Sequence, residues 1–110
     1  MERIESYEEW IEVSRKLDSL LLFVKTDNCS VCDGLLPQVA ALQSDYYSVP
    51  FYFVNVADTP EMAGQLSLFT APVVLLYREG KEYARFARFV QMNELKKRLV
   101  ELGEWGRQVD

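Results

Sequence analysis

Histidine is absent from this chain, cysteine occurs only twice, and no apolar run approaches the ~20 residues that a membrane-spanning helix needs. The shortage of histidine and cysteine bears first on metals. Structural zinc takes four ligands, drawn mainly from those two residue types. One chain supplies only Cys29 and Cys32, so a zinc site would have to be shared across a dimer. Basic residues are also in the minority. A formal net charge of −5 argues against a general nucleic-acid binder. The N-terminus, MERIESYEEW, has no basic region followed by an apolar stretch and does not read as a secretory signal. A complete chain of this kind is expected to stay in the cytoplasm. What is present suits a soluble globular protein: 49% hydrophobic and 26% charged residues over 110 positions, enough for one domain spanning 1–110 with a real core.

The two cysteines stand three positions apart in TDNCSVC, directly after the apolar run LLLFV. They can be a redox pair, half of a metal site, or a structural clip. Structural disulfides are uncommon in the cytosol, where thiols are kept reduced. A bridge across two intervening residues also closes a very small loop, which constrains the unfolded chain little. Redox chemistry is the leading reading, and the other two stay open.

The flanking pattern alternates strands and helices. Ser6 with Glu9 has the spacing of a capping box and opens a helix whose Trp10, Val13 and Leu17 share a face. SLLLFVKT reads as a buried strand. DGLLPQVAALQSDYY is a helix with Leu35, Val39, Leu42 and Tyr46 inward and Pro37 kinking it. PFYFVNV is a second strand, DTPEMAGQLSLF a short helix with Pro60 near its start, and PVVLLY a third strand. EYARFARF follows a turn at Gly80 and makes a hairpin with it. The last helix, QMNELKKRLVEL, places Met92, Leu95, Leu99 and Leu102 inward, with Gly103 as its stop and Trp105 beyond it. MERI adds a short edge strand. The order is β-α-β-α-β-α-β-β-α, an α/β architecture with right-handed crossovers and helices on both faces of the sheet. The cysteine pair lies where a strand ends and a helix begins, the usual place for a site in an open α/β sheet.

Three features coincide in register: Cys29-Ser30-Val31-Cys32 after a central strand, Pro37 five residues past the second cysteine, and Pro72 opening a strand in TAPVVLLYREGK. Together they resemble the thioredoxin family over nearly the whole chain. The resemblance implies a thioredoxin-like fold, a central mixed sheet of four or five strands flanked by helices on both faces. It implies a thiol-disulfide oxidoreductase acting on protein or low-molecular-weight disulfides. Such a protein is reduced by a reductase or a thiol donor, and it needs no cofactor and no metal. It also implies a cis bond between Ala71 and Pro72, with the Ala71 backbone turned outward to pair with an extended substrate. A monomer is expected, with no nucleic-acid or membrane partner.

The chemistry follows from position. A helix N-terminus stabilises a thiolate through its unpaired N–H groups and its dipole. Cys29 is the exposed nucleophile at that terminus, and Cys32, one turn inside, resolves the mixed disulfide. Ser30 is placed to donate a hydrogen bond to the Cys29 sulfur. Asn28, Ser30, Ala71, Pro72 and Arg88 make up the expected substrate-binding set.

Departures from the family pattern matter as much. Asn28 stands where the family usually has tryptophan, and Ser-Val replaces Gly-Pro between the cysteines. Phe23 replaces a buried acid, Phe53 replaces a nearby lysine, and Arg88 replaces a glycine beside the substrate groove. Asp27 and Asp33 read as solvated charges at the helix start. These losses keep alive a binding or adaptor module with little redox turnover, and a dithiol metal carrier remains the third alternative.

Overall fold

The computed structural model describes the backbone of residues 1–108 and the side chains of residues 1–104. Along the chain run β1 (Glu2–Arg3), α1 (Tyr7–Lys16), β2 (Ser19–Lys25), α2 (Ser30–Ala40), a 3₁₀ turn (Ala41–Ser44), β3 (Phe51–Asn55), α3 (Pro60–Gln65), β4 (Val73–Arg78), β5 (Lys81–Ala87) and α4 (Met92–Gln108). The strands form one mixed sheet in the order β1-β3-β2-β4-β5. β2 is central and buried from Ser19 to Val24. A strand covered on both faces needs an unbroken apolar run rather than alternation, and Leu20 to Val24 supply it. It pairs in parallel with β3, Phe23 opposite Phe53, and antiparallel with β4, Val24 opposite Val73.

Alternate side chains of β2 serve two core layers. Leu21 and Phe23 pack with Cys32 and Val39 of α2 and with Leu95, Leu99 and Leu102 of α4. Leu20, Leu22 and Val24 pack on the opposite face with Trp10 of α1 and Met62 of α3. Trp10 meets Tyr77 edge-on, their ring centroids 4.9 Å apart. On the other side the Tyr83 hydroxyl donates to the Glu101 carboxylate at 2.7 Å and ties β5 to α4. That bond holds the Tyr83 phenol above its ordinary pKa and the Glu101 carboxyl below its own. No helix among the described residues is long and apolar enough to cross a membrane.

Local chemistry sets most boundaries. Ser6 caps α1, its Oγ accepting from the Glu9 N–H at 3.1 Å. The Glu9 carboxylate returns a bond to the N–H of Glu5, one residue earlier than in the standard capping box. Glu79 and Gly80 both take positive φ, 51° and 76°, in the β4–β5 hairpin. Such turns match the right-handed twist of the strands they join.

Three boundaries differ from the sequence expectation. The helix after the cysteines leaves α geometry at Ala40, tightens into the 3₁₀ turn and releases Tyr46 beyond it, still packed on the core. Tightening of this kind satisfies the last carbonyls where a helix ends. The α3 helix stops at Gln65, well before Phe69. Gly103 does not stop the last helix. α4 continues to Gln108, because Leu95, Leu99 and Leu102 bury against the sheet and outweigh a single glycine, which costs about 1 kcal/mol. Trp105 therefore belongs to α4, and its side chain lies outside the described residues.

A Cβ added at Gly103 would meet only the Ser48 Oγ, at 3.2 Å. Ser48 is exposed and its hydroxyl is free to rotate away. Gly103→Ala is therefore expected to stabilise the fold by roughly 0.5–1 kcal/mol. The measurement is a rise in urea midpoint at unchanged slope. A lower midpoint would show that the Ser48 loop cannot give way.

Candidate active site

Between Lys25 and Ser30 the chain must turn from the sheet into α2. Asn28 makes the turn at φ 54°, a left-handed conformation that asparagine tolerates well. The approach is tied down from β3. Asn55, the ladder partner of Lys25, donates from Nδ2 to Asp27 Oδ1 at 2.9 Å and accepts from the Ala57 N–H with its own oxygen. Asp27 is thus engaged with a neighbour, and Asp33 is exposed in the first turn of α2.

Cys29 is the N-cap of α2. Its Sγ accepts from the Cys32 N–H at 3.2 Å, the position a serine or aspartate oxygen usually fills. Cys29 is half-buried, whereas Cys32 is 1% exposed. The two are joined by a disulfide, with Cα atoms 5.2 Å apart. Ser30 does not provide the expected hydrogen bond. Its exposed hydroxyl has no hydrogen-bond partner among the described residues, and the Cys29 sulfur accepts from the Cys32 N–H.

Ladder register brings two more loops to the same end of the sheet. Val24 is opposite Val73, and Val73 is opposite Ala87. The segments 26–29, 69–72 and 88–91 therefore leave adjacent strands side by side. The Ala71–Pro72 peptide bond is cis. Pro72 is buried, and Ala71 packs against the same apolar cluster as Cys29 and Cys32. Thr26, Phe69, Thr70 and Ala71 line a shallow cavity of about 160 Å³ between the first two loops. Arg88 is exposed at φ 68° in a tight turn closed by the Phe89 N–H on the Ala87 carbonyl at 2.7 Å.

Several contributors were not foreseen. The Arg85 guanidinium donates to the Leu66 carbonyl at 2.7 Å and the Ser67 carbonyl at 2.9 Å, braced by Glu82. It holds the end of α3, where the Ser67 and Leu68 N–H groups close a Schellman motif on Gly64 and Ala63. The loop leading to Pro72 is thereby fastened to β5. Val31 in the first turn of α2, Phe69 in the 69–72 segment and Phe89 in the 88–91 segment are 61%, 84% and 85% exposed. Aromatic residues in a sequence read as core, so only the structure reveals this apolar rim. Asparagine at a strand end is a turn signal and was the available hint for Asn55.

The thioredoxin family model matches residues 3–101. The chain belongs to the thioredoxin family. A thioredoxin-like protein of Bacillus subtilis, YdfQ, is 35% identical over 78 residues, covering 71% of this chain and 70% of its own length. Thioredoxin AMT13 of Alternaria alternata is 28% identical over 85 residues, 76% and 72% of the two chains. Among solved structures, Plasmodium falciparum thioredoxin superposes with a TM-score of 0.84 at 15% identity, over 92% of this chain and 98% of that one. Oxidised mitochondrial thioredoxin 3 of Saccharomyces cerevisiae gives 0.81 at 17% identity, over 92% and 94%.

With a thioredoxin fold and a Cys-x-x-Cys pair at disulfide distance, the activity is that of a thiol-disulfide oxidoreductase. Among the described residues no group of three or more histidine, cysteine, aspartate or glutamate side chains is placed to hold a metal ion. The Phe23 side chain is fully buried in the cluster that contains Cys32, and Phe53, its ladder partner, packs against that cluster. No acid or lysine is buried among the described residues. After reduction, limited alkylation should label Cys29 well before Cys32, because Cys29 is only half-buried and Cys32 is 1% exposed. Mass spectrometry of the modified peptides checks this, and preferential modification of Cys32 would reverse the assignment.

Proposed function

We propose that this thioredoxin-family protein reduces disulfides as a cytoplasmic monomer, with Cys29 as nucleophile and Cys32 as resolving thiol. The observation that carries the reading is the contrast between the two sulfurs: Cys29 caps α2 and is half-buried, and Cys32 is sealed one turn inside. The Cys29 thiolate attacks one sulfur of a substrate disulfide and displaces the other as a thiolate, which takes up a proton. A mixed disulfide now joins Cys29 to the substrate. Cys32 loses its proton, attacks Cys29 Sγ and releases the second substrate thiolate. Two electrons and two protons pass to the substrate, and the protein is left as the Cys29–Cys32 disulfide. A reductase or a small thiol donor returns the electrons. A reducing compartment suits this cycle, since it keeps the resting pair as thiols. Asn28, Ser30, Ala71 and Pro72 surround the attack point in this reading, and the Ala71 backbone pairs with an extended substrate segment.

The second step is the slow one. Cys32 lies in the apolar cluster with Phe23, Val39 and Val74, surroundings that disfavour a thiolate, and among the described residues no buried carboxylate takes its proton. Insulin reduction should therefore proceed with attack faster than resolution, so that mixed disulfide accumulates. Resolution should accelerate as pH rises, because hydroxide supplies the missing base. Phe23→Asp should speed it near neutral pH, at a stability cost of several kcal/mol for the buried carboxyl. Rapid-quench mass spectrometry of the mixed disulfide, with thermal denaturation alongside, measures both. Turnover equal to that of an ordinary thioredoxin would refute the slow step. Failure to reduce insulin at any pH would favour an adaptor role.

A Cys32→Ser variant should hold natural substrates covalently on Cys29 in cell extract, and the adduct should disappear with dithiothreitol. Loss of the adduct in the Cys29→Ser, Cys32→Ser double variant confirms the linkage. An adduct that persists in the double variant would exclude Cys29 as the nucleophile.

A further inference from the structure

Of the four non-glycine residues with positive φ, Glu79 belongs to the hairpin turn far from the cysteines, and Asn28, Ser67 and Arg88 sit in the three loops at the cysteine end. Asn28 suits the tight turn it makes, and Ser67 closes a helix cap. Arg88 also makes a tight turn, but as a residue type that such turns do not favour. A long side chain at φ 68° is disfavoured where glycine would be free, and such positions persist where the surroundings require them. Arg88 is exposed and makes no hydrogen bond or ion pair with another described residue. Its charge is therefore turned to solvent at a place the backbone occupies at a cost.

That place is defined by the ladder. Ala87 is opposite Val73, the residue after Pro72, so Arg88 opens the loop at the same end of the sheet as Pro72, and β5 lies two strand spacings, about 10 Å, from the end of β2. Across the opening, charge has the opposite sign. Asp33 is exposed on α2, and Asp27 is occupied by Asn55. A substrate carboxylate near Cys29 is repelled on the α2 side and attracted on the β5 side. The exposed Phe89 next to Arg88 adds an apolar shelf for the chain that carries it.

We infer that Arg88 is a specificity residue that selects disulfides bearing a carboxylate next to a reacting cysteine, through a charge-assisted hydrogen bond from the guanidinium. The inference rests on the disulfide-reducing reading above and names the substrate class for it. The contact lies at an exposed rim, so its strength is that of a surface ion pair, and added salt screens it.

The test uses two cyclic peptide disulfides that differ only in Glu or Gln beside one cysteine. Attack is followed with the Cys32→Ser background by mass spectrometry, so that the readout needs no turnover. At low ionic strength the Glu peptide should react roughly two- to fivefold faster than the Gln peptide, the range an exposed ion pair supplies. The ratio should fall toward one at high salt. Arg88→Gly and Arg88→Asn, both suited to a positive φ, should each bring the ratio to about one, whereas Arg88→Lys should keep part of it. A ratio of one in the parent protein, or one unchanged in both neutral variants, would overturn the inference while leaving disulfide reduction intact. A ratio retained by Arg88→Asn and lost only in Arg88→Gly would assign the effect to side-chain bulk and equally overturn it. Absence of any adduct with either peptide would sink the nucleophilic role of Cys29, and the inference with it.

Discussion

The burial of β2 is the constraint from which the rest of the molecule follows. Leu20 to Val24 are all within 1% of complete burial, and they alternate between two core layers. Fully burying a side chain of this kind contributes about 1.5–3 kcal/mol, so five of them supply a stabilisation on the order of the net stability of a small domain. Neither layer can be weakened here without disturbing the other, because both hang on one strand. The same strand points its C-terminal end at the site. Cys29 lies only four residues after Lys25, so its placement follows from a strand buried on both faces.

The site then divides two chemically identical side chains by environment. One sulfur caps a helix and sees solvent, and the other is enclosed by apolar side chains. A helix N-terminus favours negative charge on the first, and the core opposes it on the second. The proposed order of disulfide exchange, Cys29 first and Cys32 second, rests on that difference. The supporting contacts come from outside the motif, from Asn55 under the Asp27 turn and from Arg85 under the loop that leads to Pro72.

What could be read in advance depended on how local the signal was. β2, the hairpin at Gly80 and the strand-to-helix site at Cys29 are each governed by a few consecutive residues, and the sequence pattern locates them. Phe23 and Phe53 were picked out through the resemblance to the thioredoxin family, and the structure sets them opposite each other on adjacent strands. Gly103 misled, since a stop signal competes with tertiary packing that no local pattern records. Ser30 differs from the expectation: the hydrogen bond to the Cys29 sulfur comes from the Cys32 N–H of the capped turn. Arg85 was invisible because its acceptors are backbone carbonyls, which every residue possesses. The exposure of Phe69 and Phe89 could not be anticipated from residue type at all.

The outer strands of the sheet have a further consequence. β1 is two residues long, and β5, on the other flank, carries Lys81, Glu82 and Arg85 and a register irregularity opposite Leu76 and Tyr77. Short, charged and irregular borders are poor templates for an added strand. Bare edge amides on a longer, regular strand would otherwise invite pairing between copies of the chain. Here both flanks discourage lateral growth, and the end of the sheet that carries the sulfurs is left as the approachable side.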